Sequence, residues 1–265
     1  MVKKIDLNCD MGESFGVYRV GDDAALIAAL IQTPEGCAIT SANIACGYHA
    51  GDPLVMDRTV RLAARHGVGI GAHPGFPDLL GFGRRAMQLT SNEIENDVLY
   101  QVGALAAFAR SVGASLVHVK PHGALYNMAA QDLEMARAIA QGVARVDPAL
   151  ILVGLSGSAL IDAGRAMGLR VAREGFADRA YNADGTLRSR RLPGAVIETP
   201  EAAAERALRM ARDGAVTAYT GEEIALQVDT ICVHGDTPTA IDIARAIRRR
   251  LAEADVVLAP MGAFV

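Results

Sequence analysis

Seven short apolar, β-branched runs, each followed by turn residues, limit this chain to very few folds. They lie near residues 4–9, 39–46, 68–72, 115–119, 150–155, 169–173 and 229–233, and runs of this kind read as strands buried on both faces. Apolar residues at helical spacing fill most of the intervals, over 21–31, 53–66, 92–112, 133–146, 159–167, 201–212 and 239–252. Asp22 and Asp23 can cap the first of these helices, and Ser91 the third. Thr199, Pro200 and Gly214 bracket the sixth, with proline just inside the start and glycine past the end. Strand and helix alternating this often dictate an α/β fold with a parallel sheet. The chain has 265 residues, with no repeat and no low-complexity linker, so one domain over 1–265 is expected. That length matches an α/β barrel of about 250 residues. Residues 174–198 are polar and aperiodic, as a lid over a site would be. Residues 215–228 suggest a small hairpin.

Composition narrows the partners. Half of the residues are hydrophobic and tryptophan is absent, so Val, Ile, Leu and Ala must build the core. A net charge of -4 gives no footprint for nucleic acid, and Arg248, Arg249 and Arg250 read as a solvated helix face. Four cysteines without C-x-x-C spacing argue against a zinc finger or redox pair. Cys9, Cys46 and Cys232 fall at strand ends, where a thiol acts as a small hydrophobe. With no signal-like or membrane-length apolar stretch, a cytoplasmic protein is expected. No phosphate loop, dinucleotide fingerprint or G-x-S-x-G elbow is present. Acid-base or metal-assisted chemistry remains.

Five of the six histidines, His49, His73, His118, His122 and His234, lie at or just beyond the ends of these runs. A parallel α/β enzyme builds its site outside the carboxyl ends of its strands. In the first run, alternation puts Asp6, Asn8 and Asp10 on one face, with Glu13 on the following loop. An Asx turn would explain one of these residues but not four. In residues 43–52, Gly47 and Gly51 let His49 fold back over the strand ends, while Asp52 before Pro53 reads as a helix cap. Residues 71–85 hold His73 in a stretch rich in Pro and Gly, followed by Arg84 and Arg85, which could fork onto a carboxylate or phosphate. His118, Lys120 and His122 share one face, and such groups are costly to bury without partners. Carboxylates of the first strand are the natural ones. Two further groups close the set, Glu174 near Arg173 and His234 with Asp236. Asp236 can equally cap the next helix.

Taken in order, residues 6–13, 43–53, 71–78, 119–127, 173–179 and 232–238 resemble the LamB/YcsF family, that of the A subunit of bacterial 5-oxoprolinase. The segment Leu-Arg-Ser-Arg-Arg-Leu-Pro-Gly-Ala at 187–195 is similar to the family's loop. The resemblance implies an irregular seven-stranded β/α barrel, TIM-like, of the glycoside hydrolase and deacetylase type. It also implies ATP-dependent opening of the 5-oxoproline lactam to L-glutamate with two partner subunits. ATP, with Mg²⁺, would be a cosubstrate of the complex, and the missing nucleotide motifs agree with partners that handle it.

Lactam opening needs water attack, oxyanion stabilisation and protonation of the departing nitrogen. Asp10 or Glu13, beside a histidine, could be the base. Lys120 could stabilise the oxyanion or an attached phosphate, and His122 or His234 could protonate the nitrogen. His49, His73, Glu174 and Asp236 complete the catalytic candidates. Arg84, Arg85 or Arg191 could hold the substrate carboxylate, with Asn43 and Asn127 as further binding candidates. His118, one residue pair deeper than His122, reads as its buttress. Two alternatives stay open: a metal-dependent deacetylase or hydrolase, and a ligand-binding protein without chemistry. Stoichiometric metal with chelator-sensitive activity would favour the first, and ligand binding that survives loss of Lys120 and His122 the second.

Overall fold

The computed structural model describes residues 3–19, 39–233 and 239–265. Six strands open the order: β1 (Lys4–Met11), β2 (Ser41–Ala45), β3 (Gly69–His73), β4 (His118–Val119), β5 (Ile151–Leu155) and β6 (Arg170–Phe176). Each pairs in parallel with the next. A short antiparallel hairpin follows, β7 (Ala215–Thr217) with β8 (Glu223–Ala225), as the sequence suggests. Then β9 (Thr230–Val233) pairs in parallel with both β6 and β1. That double pairing closes a seven-stranded parallel barrel, as expected. An unanticipated strand, β10 (Val257–Leu258), adds to the foot of β1 through Lys4 and Ile5.

Seven described helices accompany the strands. They are α1 (Pro53–Arg65), α2 (Ser91–Ser111), α3 (Gly123–Ala129), α4 (Leu133–Val146), α5 (Ala159–Ala166), α6 (Pro200–Asp213) and α7 (Ala240–Ala252). Asp52 caps α1 by accepting from the amides of Leu54 and Val55, as anticipated. Thr90, not Ser91, caps α2, through a capping box with Glu93. Gly214 ends α6 in the left-handed conformation, while Thr199 makes no side-chain cap bond. The seven-residue α3 was not expected, because Pro121 and Gly123 read as turn residues. The helix expected over 21–31 lies outside the described residues. Among the described residues, no helix is long and apolar enough to cross a membrane.

Strand alternation decides what fills the barrel. Ile5, Leu7, Cys9 and Met11 of β1 join the helices in one large apolar core, leaving Asp6, Asn8 and Asp10 to the lumen. A second cluster, Ile151, Val153, Ala172 and Met261, closes the end nearest Asp6. The lumen is therefore apolar at its floor and polar toward its mouth.

Candidate active site

Three rungs climb the lumen from β1. Asp6 accepts from the hydroxyls of Thr40 (2.7 Å), Ser41 (2.6 Å) and Thr230 (2.5 Å). Burial still pushes its carboxyl above the usual range, against those bonds. Above it, Asn8 donates to Glu174 (3.0 Å) and Thr230 (2.7 Å). Asp10 stands at the mouth. Its Oδ1 accepts from Asn43 (2.8 Å) and Lys120 (3.0 Å), and its Oδ2 lies 3.4 Å from His73 Nε2.

Lys120, just past β4, points across the barrel rather than out of it. Its Nζ meets Glu174 Oε1 at 2.9 Å, Cys232 Sγ at 3.0 Å and Asn8 Oδ1 at 3.2 Å, besides Asp10. Burial alone would lower the ammonium's pKa, but Asp10, with Glu174 behind it, holds it well above the ordinary value. It stays charged. Cys232 therefore has a polar partner as well as apolar packing, and burial pushes its thiol up, so it remains protonated. Glu174 is fully buried, with its second oxygen accepting from the Tyr126 hydroxyl at 2.7 Å.

Beside Asp10, three imidazoles and one carboxylate converge. The atoms that Glu13, His49, His73 and His122 offer all lie within 4.8 Å of one another. His49 and His122 stack with ring centroids 3.7 Å apart and 3° between planes, and His73 meets both edge-on. Glycines make the room: a Cβ on Gly75 would lie 2.7 Å from His49 Nδ1, and one on Gly83 2.8 Å from His122 Cδ2. Burial, then the neighbouring histidines, drives His49 and His122 well below the ordinary imidazole value. Nitrogen-rich donors of this kind do not fit Mg²⁺, which takes oxygen ligands.

His118 does not buttress His122. Its Nε2 lies 2.8 Å from Asn43 Oδ1, and the ring lies over Gly71, where a Cβ would come within 2.0 Å of Nε2. Asn43 passes this on by donating to Asp10, so it lies beneath the carboxylate rather than on the cavity wall.

Above these groups opens a cavity of about 610 Å³, within the range for small-molecule sites. Asp10, Glu13, His73, Lys120 and His122 line it, joined by Arg84, Asn127 and Arg191. His49 and Glu174 are buried behind that wall. Arg85 is turned away, its exposed side chain forking onto Asp78. His234 and Asp236 lie outside the described residues. Sequence reasoning passed over Tyr126, Phe176, Arg179 and Arg188, which also line the cavity. All four sit inside the segments 119–127, 173–179 and 187–195, beside the candidates named there. The 174–198 segment divides: β6 runs on to Phe176, and the remainder folds back through antiparallel bridges at Arg179–Val196 and Tyr181–Leu187. It then brings Arg179, Arg188, Arg190 and Arg191 over the cavity. Burial lowers the Arg179 guanidinium to about 10, still charged at neutral pH.

A closed parallel β/α barrel with buried acids, a charged lysine and a histidine cluster at its mouth defines a barrel with the equipment of a hydrolase. Comparison with known proteins sharpens this. The sequence model of the LamB/YcsF family matches residues 5–265, so the chain belongs to the LamB/YcsF family. The A subunit of 5-oxoprolinase from Pyrococcus furiosus is 55% identical over 262 residues, 99% of this chain and 99% of that protein. Its namesake from Symbiobacterium thermophilum is 57% identical, over 99% of this chain and 97% of that protein. The crystal structure of a lactam utilization protein from Thermus thermophilus superposes with a TM-score of 0.88 at 49% identity, covering 97% of this chain and 99% of that one.

Proposed function

We propose that this chain is the A subunit of an ATP-dependent 5-oxoprolinase, opening the lactam of 5-oxo-L-proline to L-glutamate together with partner subunits. The observation that carries the reading is Asp10 and Lys120 side by side beneath an arginine-lined cavity. Relatives that bear the name of the 5-oxoprolinase A subunit, at more than half identity over nearly the whole chain, support it.

The substrate carboxylate pairs with Arg84 or Arg191, which line the wall. That contact turns the lactam carbonyl toward the floor. Asp10 Oδ2, on the side facing His73, takes a proton from the attacking water and returns it to the departing nitrogen. Lys120 stabilises the oxyanion. Its three N–H groups are already shared among four acceptors, so the incoming oxygen replaces the weakest, the Cys232 thiol. ATP, held with its Mg²⁺ on the partner subunits, gives its γ-phosphoryl group to the lactam oxygen and leaves as ADP. Lys120 then faces the phosphorylated oxygen. Inorganic phosphate departs when a second water hydrolyses the acyl phosphate left by ring opening.

The test is release of glutamate and ADP that depends on 5-oxoproline, with the chain and its candidate partner subunits together and apart. Turnover should need this chain, and Asp10→Asn should cut it by about 10²–10⁴-fold. Full turnover by the partners alone, or by the Asp10→Asn complex, would end the proposal.

A further inference from the structure

Hydrogen bonds fix the tautomers of two histidines, and the outcome is unusual. His73 Nδ1 lies 2.6 Å from the Lys120 carbonyl oxygen, and His122 Nε2 lies 2.8 Å from that of Phe82. A carbonyl only accepts, so each of these nitrogens carries its hydrogen. In the neutral rings His73 Nε2 and His122 Nδ1 then present lone pairs, and they face each other at 3.0 Å. Two lone pairs at that separation repel unless something positive lies between them. His49 adds a third imidazole, fully buried, with no hydrogen-bond partner on either nitrogen among the described residues. A buried polar group left unmet in this way is costly. Glu13 supplies a carboxylate oxygen 3.7 Å from His49 Nε2 and 3.8 Å from His122 Nδ1.

We propose that Glu13, His49, His73 and His122 bind one divalent transition-metal ion of the zinc class at the floor of the cavity. A tetrahedral ion with bonds of about 2.0–2.2 Å sets its ligand atoms about 3.3–3.6 Å apart. The three separations just given, 3.0, 3.7 and 3.8 Å, bracket that edge. The other separations lie within 4.8 Å, and His49, whose ring is parallel to that of His122, must turn about its Cβ–Cγ bond to aim a lone pair at the same ion. His73 and His122 also show the mark of metal-bound histidine, the far ring N–H donated to a backbone carbonyl. Imidazoles with one carboxylate select zinc, iron, cobalt or nickel over Mg²⁺ or Ca²⁺. Asp10, 3.4 Å from His73 Nε2, flanks the ion as a second carboxylate. This site does not depend on the lactam reading.

The experiment uses the full-length chain, expressed without a histidine tag and purified without chelator. Elemental analysis should find about one transition-metal equivalent per chain. Metal-stripped protein titrated with Co²⁺ should develop visible d–d bands and a higher melting temperature. His49→Ala and the near-isosteric Glu13→Gln should each weaken Co²⁺ binding by more than the about 10–100-fold that outer-shell partners cost, with circular dichroism confirming the fold. Protein that is metal-free and silent to Co²⁺ and Zn²⁺ would overturn the site and leave a shared proton between the two histidines. Unchanged binding in both variants would overturn it equally, by placing the ion elsewhere. None of these readouts involves oxoprolinase turnover, so either reading can fail alone.

Discussion

Lys120 Nζ and Glu174 Oε1 lie 2.9 Å apart inside the barrel, one from the end of β4 and the other from β6. This is no surface ion pair: Glu174 is wholly buried and Lys120 nearly so. Asn8 and Tyr126 occupy the remaining acceptor sites of Glu174, so its contribution is to fix the lysine beneath Asp10. Removing the lysine strands a buried carboxylate. Lys120→Ala should cost about 3–5 kcal/mol of stability, read from urea midpoints, besides abolishing turnover. Lys120→Met with Glu174→Gln should recover much of the stability and none of the activity. A stable Lys120→Ala single variant would mean that the pair does not hold the lumen together.

Protonation of His118 should set part of the acid sensitivity. Burial lowers this ring to about 3 from an ordinary 6.5. Below 6.5 the unfolded chain takes up a proton that the folded chain refuses, so stability is full above that pH and falls as the pH drops toward 3. The slope from this one residue is about 1.4 kcal/mol per pH unit. His118→Gln should remove one proton from the pH dependence of the unfolding free energy while keeping a donor for Asn43. An unchanged slope would exclude the residue as its source.

Space over Gly71 is spoken for by the His118 ring, at 2.0 Å from where a Cβ would stand. Gly71→Ala should therefore destabilise by at least the roughly 1–3 kcal/mol typical of an overpacked core, seen as a lower melting temperature. Adding His118→Ala should relieve part of that loss. Additive effects in the double variant would show that the two residues do not compete for one volume.

Neighbouring arginines should behave differently. Arg84 lines the cavity, whereas Arg85 is spent on Asp78. Loss of a charged contact to substrate is worth about 1.5–3 kcal/mol, so Arg84→Ala should raise KM for 5-oxoproline about ten- to a hundredfold in the reconstituted complex. Arg85→Ala should leave KM nearly unchanged and lower stability slightly. The reverse pattern would move the carboxylate contact to Arg85.

How far the sequence carried depends on the range of the interactions. Strand positions followed from local apolar runs, and the lumen-facing set of Asp10 and Lys120 followed from alternation alone. Glu13, His73 and His122 converge with them because strand ends share one rim. What escaped was pairing at long range. Nothing local marks Asn43 as the partner of His118, or Cys232 as a contact of Lys120 more than a hundred residues away. Likewise α3 hid behind Pro121 and Gly123, since turn residues mask a helix of only seven residues. Arg85 matched the expectation of a carboxylate fork, but the carboxylate proved to be Asp78 of its own loop.

The contact between β1 and β9 has a consequence for biosynthesis. Asp6 through Cys9 cannot complete their backbone pairing until Thr230 through Val233 leave the ribosome, because β1 closes the barrel against β9. Nearly the whole chain must be translated before the barrel can shut. Until then the lumen's carboxylates and lysine stay open to water at little electrostatic cost. Charge burial and topological closure thus come as one late event, and a chain truncated before β9 would carry every early motif yet no enclosed site.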